Sequence, residues 1–199
     1  SGLHAQTGTT PGAAIHAAHT LTFIALKPGL LTGKARDVVG QLHYHSLGLD
    51  GWLTGQRFPL ARFDASQLAE WLPPRRATSH KGDHGRLAIV GGDRGTAGAI
   101  RMAGEAALRA GAGLVRVLTH PENIAPIITA RPELMVDALT PQSLDDSLQW
   151  ADVVAIGPGL GQSEWATRAL RQLESFAKPM VWDADALNLL AINADKRHN

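Results

Sequence analysis

The sequence has no cysteine among its 199 residues. Disulfide bonds, thiolate metal sites and cysteine nucleophiles are therefore excluded. It also has no run of about 18 apolar residues, so no membrane-spanning helix is predicted. Basic and acidic residues nearly balance, 19 against 18, and the formal charge of +1 gives no reason to expect nucleic-acid binding.

The first residues, "SGLHAQTGTTPG", lack the basic and then apolar segments of a secretory signal peptide. We therefore expect a cytoplasmic protein that does not associate with membranes. Hydrophobic residues make up 44% of the chain, which is enough for a packed core. A chain of this length holds one full domain or parts of two.

From Arg86 onward, apolar segments alternate regularly with helical ones. The segments "RLAIV", "GLVRVLT", "ADVVAIG" and "PMVWDA" predict strands, and helices are predicted over 97–110 and 164–176. This alternation is typical of an α/β protein with a mostly parallel sheet and helices on both faces. Small side chains are expected to let the first helix pack closely on the sheet: Ala103, Ala106, Ala107 and Ala110.

The first 60 residues contain fewer elements. "TLTFIAL" predicts a strand and "GQLHYHSLGL" another extended segment, and a helix is predicted over 65–71 with Asp64 as its N-cap. These elements are too few for an α/β domain of their own. We therefore interpret the chain as two partial domains that join near residue 60.

Two glycine-rich loops follow predicted strands, "GGDRGTAGA" at 91–99 and "IGPGLG" at 156–161. Neither is a Walker A loop, because no Gly-Lys-Ser/Thr closes it. Ligands of open α/β sheets bind along the carboxyl edge of the strands, so we expect Gly98 and Ala99 to leave room for a ligand at a helix N-terminus. The alternative is that both loops are merely tight structural turns.

The segment "WDADALNLL" places Asp183 and Asp185 at the end of another predicted strand. If the segment stays extended, both carboxylates lie on the same side, where they could hold a metal through water or orient a ligand hydroxyl. The alternative is that Asp185 caps a helix that Ala186 begins. The nine histidines show no convincing metal-ligand spacing; His43 and His45 are expected to share one face of an edge strand.

Six motifs in this order resemble one enzyme family: "SHKGDHG", "GGDRGTAGA", "ALRAGAGLV", "RPELM", "GPGLG" and "DADALNLL". The resemblance is to the ADP-dependent NAD(P)H-hydrate dehydratases, in the form fused to an NAD(P)H-hydrate epimerase. "TFIALKPGLLTGKARDVVGQL" is similar to the closing part of the epimerase domain. The resemblance implies that residues 1–58 are the end of a Rossmann-like epimerase domain, and that residues 62–199 begin a ribokinase-like dehydratase domain.

The resemblance implies a repair enzyme, a lyase with an isomerase, for damaged nicotinamide nucleotides. The dehydratase converts the S form of hydrated NADH or NADPH (NADHX, NADPHX) to NAD(P)H, with release of AMP and phosphate, and the epimerase interconverts the R and S hydrates. ADP is the co-substrate, Mg²⁺ assists, K⁺ serves the epimerase part, and the full-length protein is expected to be a homo-oligomer. The alternatives are a ribokinase-like kinase for a vitamin or sugar, or a non-catalytic fragment.

The resemblance also assigns residues. Two positions match family residues that contact the hydrated cofactor, Ala99 and Gly161. Four more are expected near the same pocket: Gly98, Lys81, His84 and Asp185. Ser1 matches an epimerase serine that helps to bind K⁺. The catalytic aspartates and the main nucleotide loop are expected outside residues 1–199, so no catalytic residue is assigned, and we expect these residues alone to be inactive.

Overall fold

The computed structural model describes residues 2–58, 60 and 62–197, with side-chain surroundings up to residue 192. The chain divides into two compact units, Ser1–Pro74 (unit 1) and Arg75–Asn199 (unit 2). The assignment of residues 1–58 and 62–199 to two enzyme domains stays a prediction. Within the described part of the chain, no helix has the length and apolar character needed to cross a membrane.

Unit 1 is built on a two-stranded parallel sheet. Its strands are β1, His19–Phe23, and β2, Gln41–His45, and the register pairs His19 with Gln41. Three short helices accompany the sheet: α1, Ala35–Val38; α2, Asp50–Leu53; and α3, Ala65–Trp71. The two extended segments and the helix that the sequence predicts are confirmed.

Helix α3 begins where its capping residues dictate. The Asp64 carboxylate accepts a hydrogen bond from the backbone N–H of Ser66 at 2.8 Å, and the Gln67 side chain accepts one from the backbone N–H of Asp64 at 3.1 Å. Both interactions satisfy amides that a helix start leaves without partners. The hydroxyl of Ser66, followed by its backbone N–H, holds the pKa of the Asp64 carboxyl below its usual value.

Unit 2 contains a five-stranded sheet in which every neighbouring pair is parallel. Its strands are β3, Arg86–Val90; β4, Leu114–Thr119; β5, Met135–Ala138; β6, Val153–Ile156; and β7, Met180–Trp182. The strand order is β5-β4-β3-β6-β7. After β3, the chain adds β4 and β5 on one side of it, and then adds β6 and β7 on the other side. The order therefore reverses between β3 and β6.

Five α-helices cover the sheet: α4, Ala97–Ala110; α5, Ile124–Ala130; α6, Pro141–Trp150; α7, Glu164–Glu174; and α8, Ala184–Arg197. Alternate residues of β3 face opposite sides. Ile89 joins a core with residues of α4 and α5, whereas Ala88 and Val90 join a core with residues of α6, α7 and α8. The predicted parallel sheet with helices on both faces is confirmed, with β5, α5 and α6 as elements that the sequence did not predict.

The packing of α4 differs in part from the sequence-based expectation. Ala103 and Ala107 pack against the core as expected, but Ala106 and Ala110 are exposed and contribute no close contact. Gly104 is the residue that permits the close approach, because a Cβ there would lie 2.9 Å from both terminal methyl groups of Leu134.

Replacing Leu148 with Ala is expected to lower the free energy of unfolding of unit 2 by about 2–5 kcal/mol, because this α6 side chain is fully buried. The neighbouring Gln149 is exposed, and Gln149→Ala is the matched control, with an expected change within about 0.5 kcal/mol. The measurement is the urea concentration at which half of each variant is unfolded, with tryptophan fluorescence as the signal of unfolding. Equal midpoints for the two variants would contradict the burial of Leu148.

Candidate functional site

The two glycine-rich loops lie side by side at the carboxyl ends of β3 and β6. The N–H of Gly92 donates to the carbonyl oxygen of Pro158 at 2.9 Å, and the N–H of Asp93 donates to that of Gly159 at 2.7 Å. These bonds continue the pairing of β3 and β6 beyond the strands. The loops thus meet where the strand order reverses, which is where open α/β sheets bind their ligands.

The fold itself requires some of these glycines. A Cβ on Gly91 would lie 2.2 Å from the carbonyl oxygen of Pro158, and one on Gly157 would lie 1.9 Å from that of Asp183. Gly98 is different, because a Cβ there would meet no atom of the described chain within 4 Å. Close packing therefore accounts for Gly91 and Gly157 but leaves Gly98 free to serve another purpose.

Helix α4 begins at this edge with its first turn exposed. The hydroxyl of Thr96 donates to the carbonyl oxygens of Asp93 and Gly159, both at 2.7 Å, and no side chain of the described residues caps the helix. Gly98 and Ala99 are both exposed. The N–H of Ala99 donates to the carbonyl oxygen of Thr96 at 3.2 Å, so the feature that this turn offers an anion is the positive end of the helix dipole. A ligand at Gly98 and Ala99 stays a prediction.

Asp185 and Gly161 are in direct contact. A carboxylate oxygen of Asp185 accepts a hydrogen bond from the N–H of Gly161 at 2.9 Å. The expectation that Asp183 and Asp185 share one side of an extended segment is wrong, because α8 begins at Ala184 and turns the chain between them. Nor does Asp185 cap the helix; it lies in the first turn and reaches across to the neighbouring loop.

A second carboxylate joins the same loops. The Ser163 hydroxyl donates to one oxygen of Asp93 at 2.8 Å. The same hydroxyl accepts a hydrogen bond from the N–H of Ala166, so Ser163 is the N-cap of α7. Neither Asp93 nor Ser163 was identified as a site residue from the sequence. Two features of the sequence could have pointed to them. Asp93 is an acidic residue inside a glycine-rich loop, and Ser163 is a serine directly before a predicted helix, where helix caps occur.

Residues at the end of β4 and directly after it bind the backbone of the 91–99 loop. The carbonyl oxygen of Gly92 accepts hydrogen bonds from the Thr119 hydroxyl at 2.7 Å, the Asn123 amide at 2.6 Å and the His120 N–H at 3.0 Å. Thr119 and Asn123 are buried. Sequence reasoning missed these residues, although they follow β4 and so belong to the same sheet edge.

Lys81 and His84 do not join this group. They lie in a short 3-10 helix before β3, where the carbonyl oxygen of His84 accepts a hydrogen bond from the N–H of Gly113 at 2.9 Å, and the His84 ring lies 3.0 Å from the Ser79 hydroxyl. This is the amino edge of the sheet, separated from the glycine loops by the length of a five-residue strand, about 16 Å. The structure thus brings together Gly98, Ala99, Gly161 and Asp185 only, and a substrate role for Lys81 and His84 stays a prediction.

The expected metal ions find no protein-built site in the described chain. Among the described residues, no group of three or more His, Cys, Asp or Glu side chains could hold a metal ion. Asp93 and Asp185 already accept hydrogen bonds from Ser163 and Gly161. Both carboxylates thus hold the loops together, and Mg²⁺ at this edge stays a prediction. Ser1, the predicted K⁺ ligand, lies outside the described residues.

Unit 1 has a cavity of its own, of about 830 Å³. Its lining is mostly apolar, includes Ile24, Leu26, Tyr44 and Phe58, and contains no acidic residue and no histidine. Among its described lining residues, this cavity therefore presents no carboxylate or imidazole. His43 and His45 lie two residues apart on β2 and so share one face of this strand, as expected. A ring nitrogen of His43 lies 3.0 Å from one of His19.

A family model described as NAD(P)H-hydrate dehydratase matches residues 87–199, more than half of the chain. Over all 199 residues, the chain is 75% identical to the bifunctional NAD(P)H-hydrate repair enzyme Nnr of Escherichia coli strain K12. Over 96% of its own length, the chain is 48% identical to the bifunctional NAD(P)H-hydrate repair enzyme of Leishmania braziliensis. The chain spans 39% and 37% of the lengths of these two relatives.

Solved structures resemble the chain as well. A ribokinase-like superfamily protein from Enterococcus faecalis has a TM-score of 0.56 and 34% identity, with 61% of this chain and 44% of that chain covered. An ADP/ATP-dependent NAD(P)H-hydrate dehydratase from Bacillus subtilis, crystallised with ATP and Mg²⁺, has a TM-score of 0.51 and 32% identity, with 58% and 43% covered. The predicted ribokinase-like fold is confirmed.

Replacing Asp185 with Ala is expected to leave the N–H of Gly161 without its acceptor. A hydrogen bond to a charged group is worth about 1.5–3 kcal/mol, so hydrogen exchange of the Gly161 amide should become faster by about one to two orders of magnitude. Asp185→Asn keeps an oxygen acceptor and should retain most of the protection. The measurement is amide hydrogen exchange by NMR. Unchanged protection in Asp185→Ala would contradict this contact.

Proposed function

The chain belongs to the NAD(P)H-hydrate dehydratase family, and on that basis we propose that it forms part of an enzyme that repairs hydrated NADH and NADPH. The reaction is the ADP-dependent dehydration of the S hydrate to NAD(P)H, with release of AMP and phosphate. The names of the bifunctional relatives and the ADP/ATP dependence of the Bacillus subtilis neighbour support this proposal. Unit 1 would belong to the epimerase that interconverts the R and S hydrates.

The observation that carries the proposal is the pair of glycine loops at the reversal of strand order, beside the exposed N-terminus of α4. Hydrated nicotinamide nucleotides and ADP are both anionic through their phosphates. The positive end of a helix dipole attracts such groups, and the glycines of both loops leave room for a ligand at this edge. Four of the six residues predicted for the pocket lie at this edge, Gly98, Ala99, Gly161 and Asp185, whereas Lys81 and His84 do not.

The chemistry explains why a kinase-like fold suits a dehydration. Hydroxide is a poor leaving group on the hydrated ring. Transfer of the terminal phosphoryl group of ADP to that hydroxyl gives AMP and a phosphate ester. The ring nitrogen lone pair then expels phosphate, and loss of a proton from the neighbouring carbon restores the double bond of NAD(P)H. Such a site must mainly position two anionic substrates and stabilise the transferred charge.

Each residue of the site has a proposed role. The first turn of α4, at Gly98 and Ala99, lies against the hydrated cofactor. The backbone at Gly161 approaches the same substrate, and Asp185 fixes its orientation by accepting the Gly161 N–H. K⁺ at Ser1, a homo-oligomeric state and a cytoplasmic location are proposed for the complete protein on the strength of the family resemblance.

The test uses the complete protein that contains this chain. With S-hydrated NADH, ADP and Mg²⁺, we expect NADH absorbance to appear in step with AMP, above the spontaneous background. Phosphorylation of a vitamin or sugar alcohol by ATP, without NADH formation, would favour a small-molecule kinase instead and overturn the proposal.

In the same assay, Gly161→Leu is expected to raise KM for the hydrated cofactor more than KM for ADP, because a side chain there would collide with the substrate. Gly161 has a φ of 69°, so any substitution also strains the backbone. Gly85→Leu is the control, because Gly85 has a φ of 79° and open surroundings but lies at the amino edge of the sheet. A change in KM for ADP alone would place Gly161 at the nucleotide instead.

A further inference from the structure

The Asp93 carboxylate connects two segments that are 70 residues apart in sequence. One oxygen accepts from the Ser163 hydroxyl at 2.8 Å, and the other accepts from the N–H of Arg94 at 2.7 Å. We propose that Asp93 and Ser163 form a clamp that positions the Gly161 loop against the N-terminus of α4. The inference rests on the proposed dehydration of hydrated NAD(P)H, and it makes Asp93 a positioning residue, not a catalytic one.

The clamp acts where the backbone contacts between the loops end. Next to the strands, the loops are joined by the bonds from Gly92 to Pro158 and from Asp93 to Gly159. Beyond them, two carboxylates bind the stretch from Gly161 to Ser163, Asp185 at its first residue and Asp93 at its last. Removing the Asp93 contact therefore separates the end of this stretch from the loop after β3, while Ser163 stays bonded to α7.

Asp93 is itself held firmly. Its carbonyl oxygen accepts from the Thr96 hydroxyl at 2.7 Å and from the Asn123 amide at 3.1 Å. Its side chain is also the group that a Cβ on Gly161 would approach, at 3.4 Å from a carboxylate oxygen. The carboxylate thus lies between the first turn of α4 and Gly161, the two elements proposed to contact the hydrated cofactor. A rigid support of this kind sets the spacing of the groups that touch substrate.

The spacing matters because small displacements are costly in catalysis. A misplacement of about 1 Å can lower a rate about a hundredfold. Loss of the clamp is therefore expected to lower kcat/KM for the hydrated cofactor by about tenfold to a hundredfold. KM for ADP should change by less than about threefold, because the clamp orders the hydrated-cofactor side of the site.

The experiment compares variants of the complete protein in the dehydration assay. Asp93→Ala and Ser163→Ala both remove the clamp, and the double variant should be no worse than the worse single variant, because both lose one interaction. Asp93→Asn keeps an oxygen that can accept from Ser163 and should recover part of the activity. Melting temperatures show whether each variant is folded.

Ser163 also caps α7, so the capping role needs its own controls. Ser163→Asp keeps an acceptor for the N–H of Ala166 but cannot donate to Asp93, and we expect it to lose activity as Ser163→Ala does. Thr140→Ala removes an equivalent cap from α6, whose N–H donor is Ser143, and should leave kcat/KM unchanged. Wild-type kinetics in Ser163→Asp, additive effects in the double variant, or an equal loss in Thr140→Ala would overturn the clamp.

A failure of the proposed function has a different signature. If the unaltered protein produces no NADH from the hydrate, the dehydratase proposal is overturned whatever the variants do. Amide hydrogen exchange at Gly161 and Ala166 then tests the clamp independently of the dehydration assay. Faster exchange at both amides in Asp93→Ala, and not in Thr140→Ala, would support its positioning of the loop, and unchanged exchange would refute it.

Discussion

The candidate site depends on one constraint: β3 and β6 keep pairing after their strands have ended. The N–H groups of Gly92 and Asp93 reach carbonyl oxygens of the neighbouring loop, and this requires Gly91, because a Cβ there would lie 2.2 Å from the carbonyl oxygen of Pro158. This pairing places two loops from distant parts of the sequence within hydrogen-bonding distance. The contacts of Thr96, Asp93 and Asp185 between the elements of this edge all follow from it.

The same pairing gives the edge its chemical character. Because the Thr96 hydroxyl is used between the loops, it does not cap α4, and the positive end of that helix dipole faces this edge. The carboxylates of Asp93 and Asp185 serve the loops, with no general base or metal ligand role apparent in their contacts. For the proposed dehydration, these contacts would serve to bind and orient the substrate, which agrees with a reaction in which phosphoryl transfer and leaving-group departure depend on substrate alignment.

Much of the local structure could be predicted from the sequence. The helix over 65–71 and its Asp64 cap, the helix over 97–110 and the strand "RLAIV" are all found at the expected residues. Capping residues and apolar periodicity act over a few neighbouring positions, so their effect can be read locally. Strand β5 escaped prediction because its four residues give a pattern too short to distinguish from a loop, whereas α6 was missed although Thr140 and Ser143 form a capping box at its start.

The sequence by itself determined the fold class, the family resemblance and the two glycine loops. Only the tertiary structure decided which residues meet. It gave Asp185 the Gly161 N–H as its partner, joined Asp93 to Ser163, and placed Lys81 and His84 at the opposite edge of the sheet. The physical reason is that strand order and register, set by burial of both sheet faces, bring together residues whose separation in sequence carries no local signal.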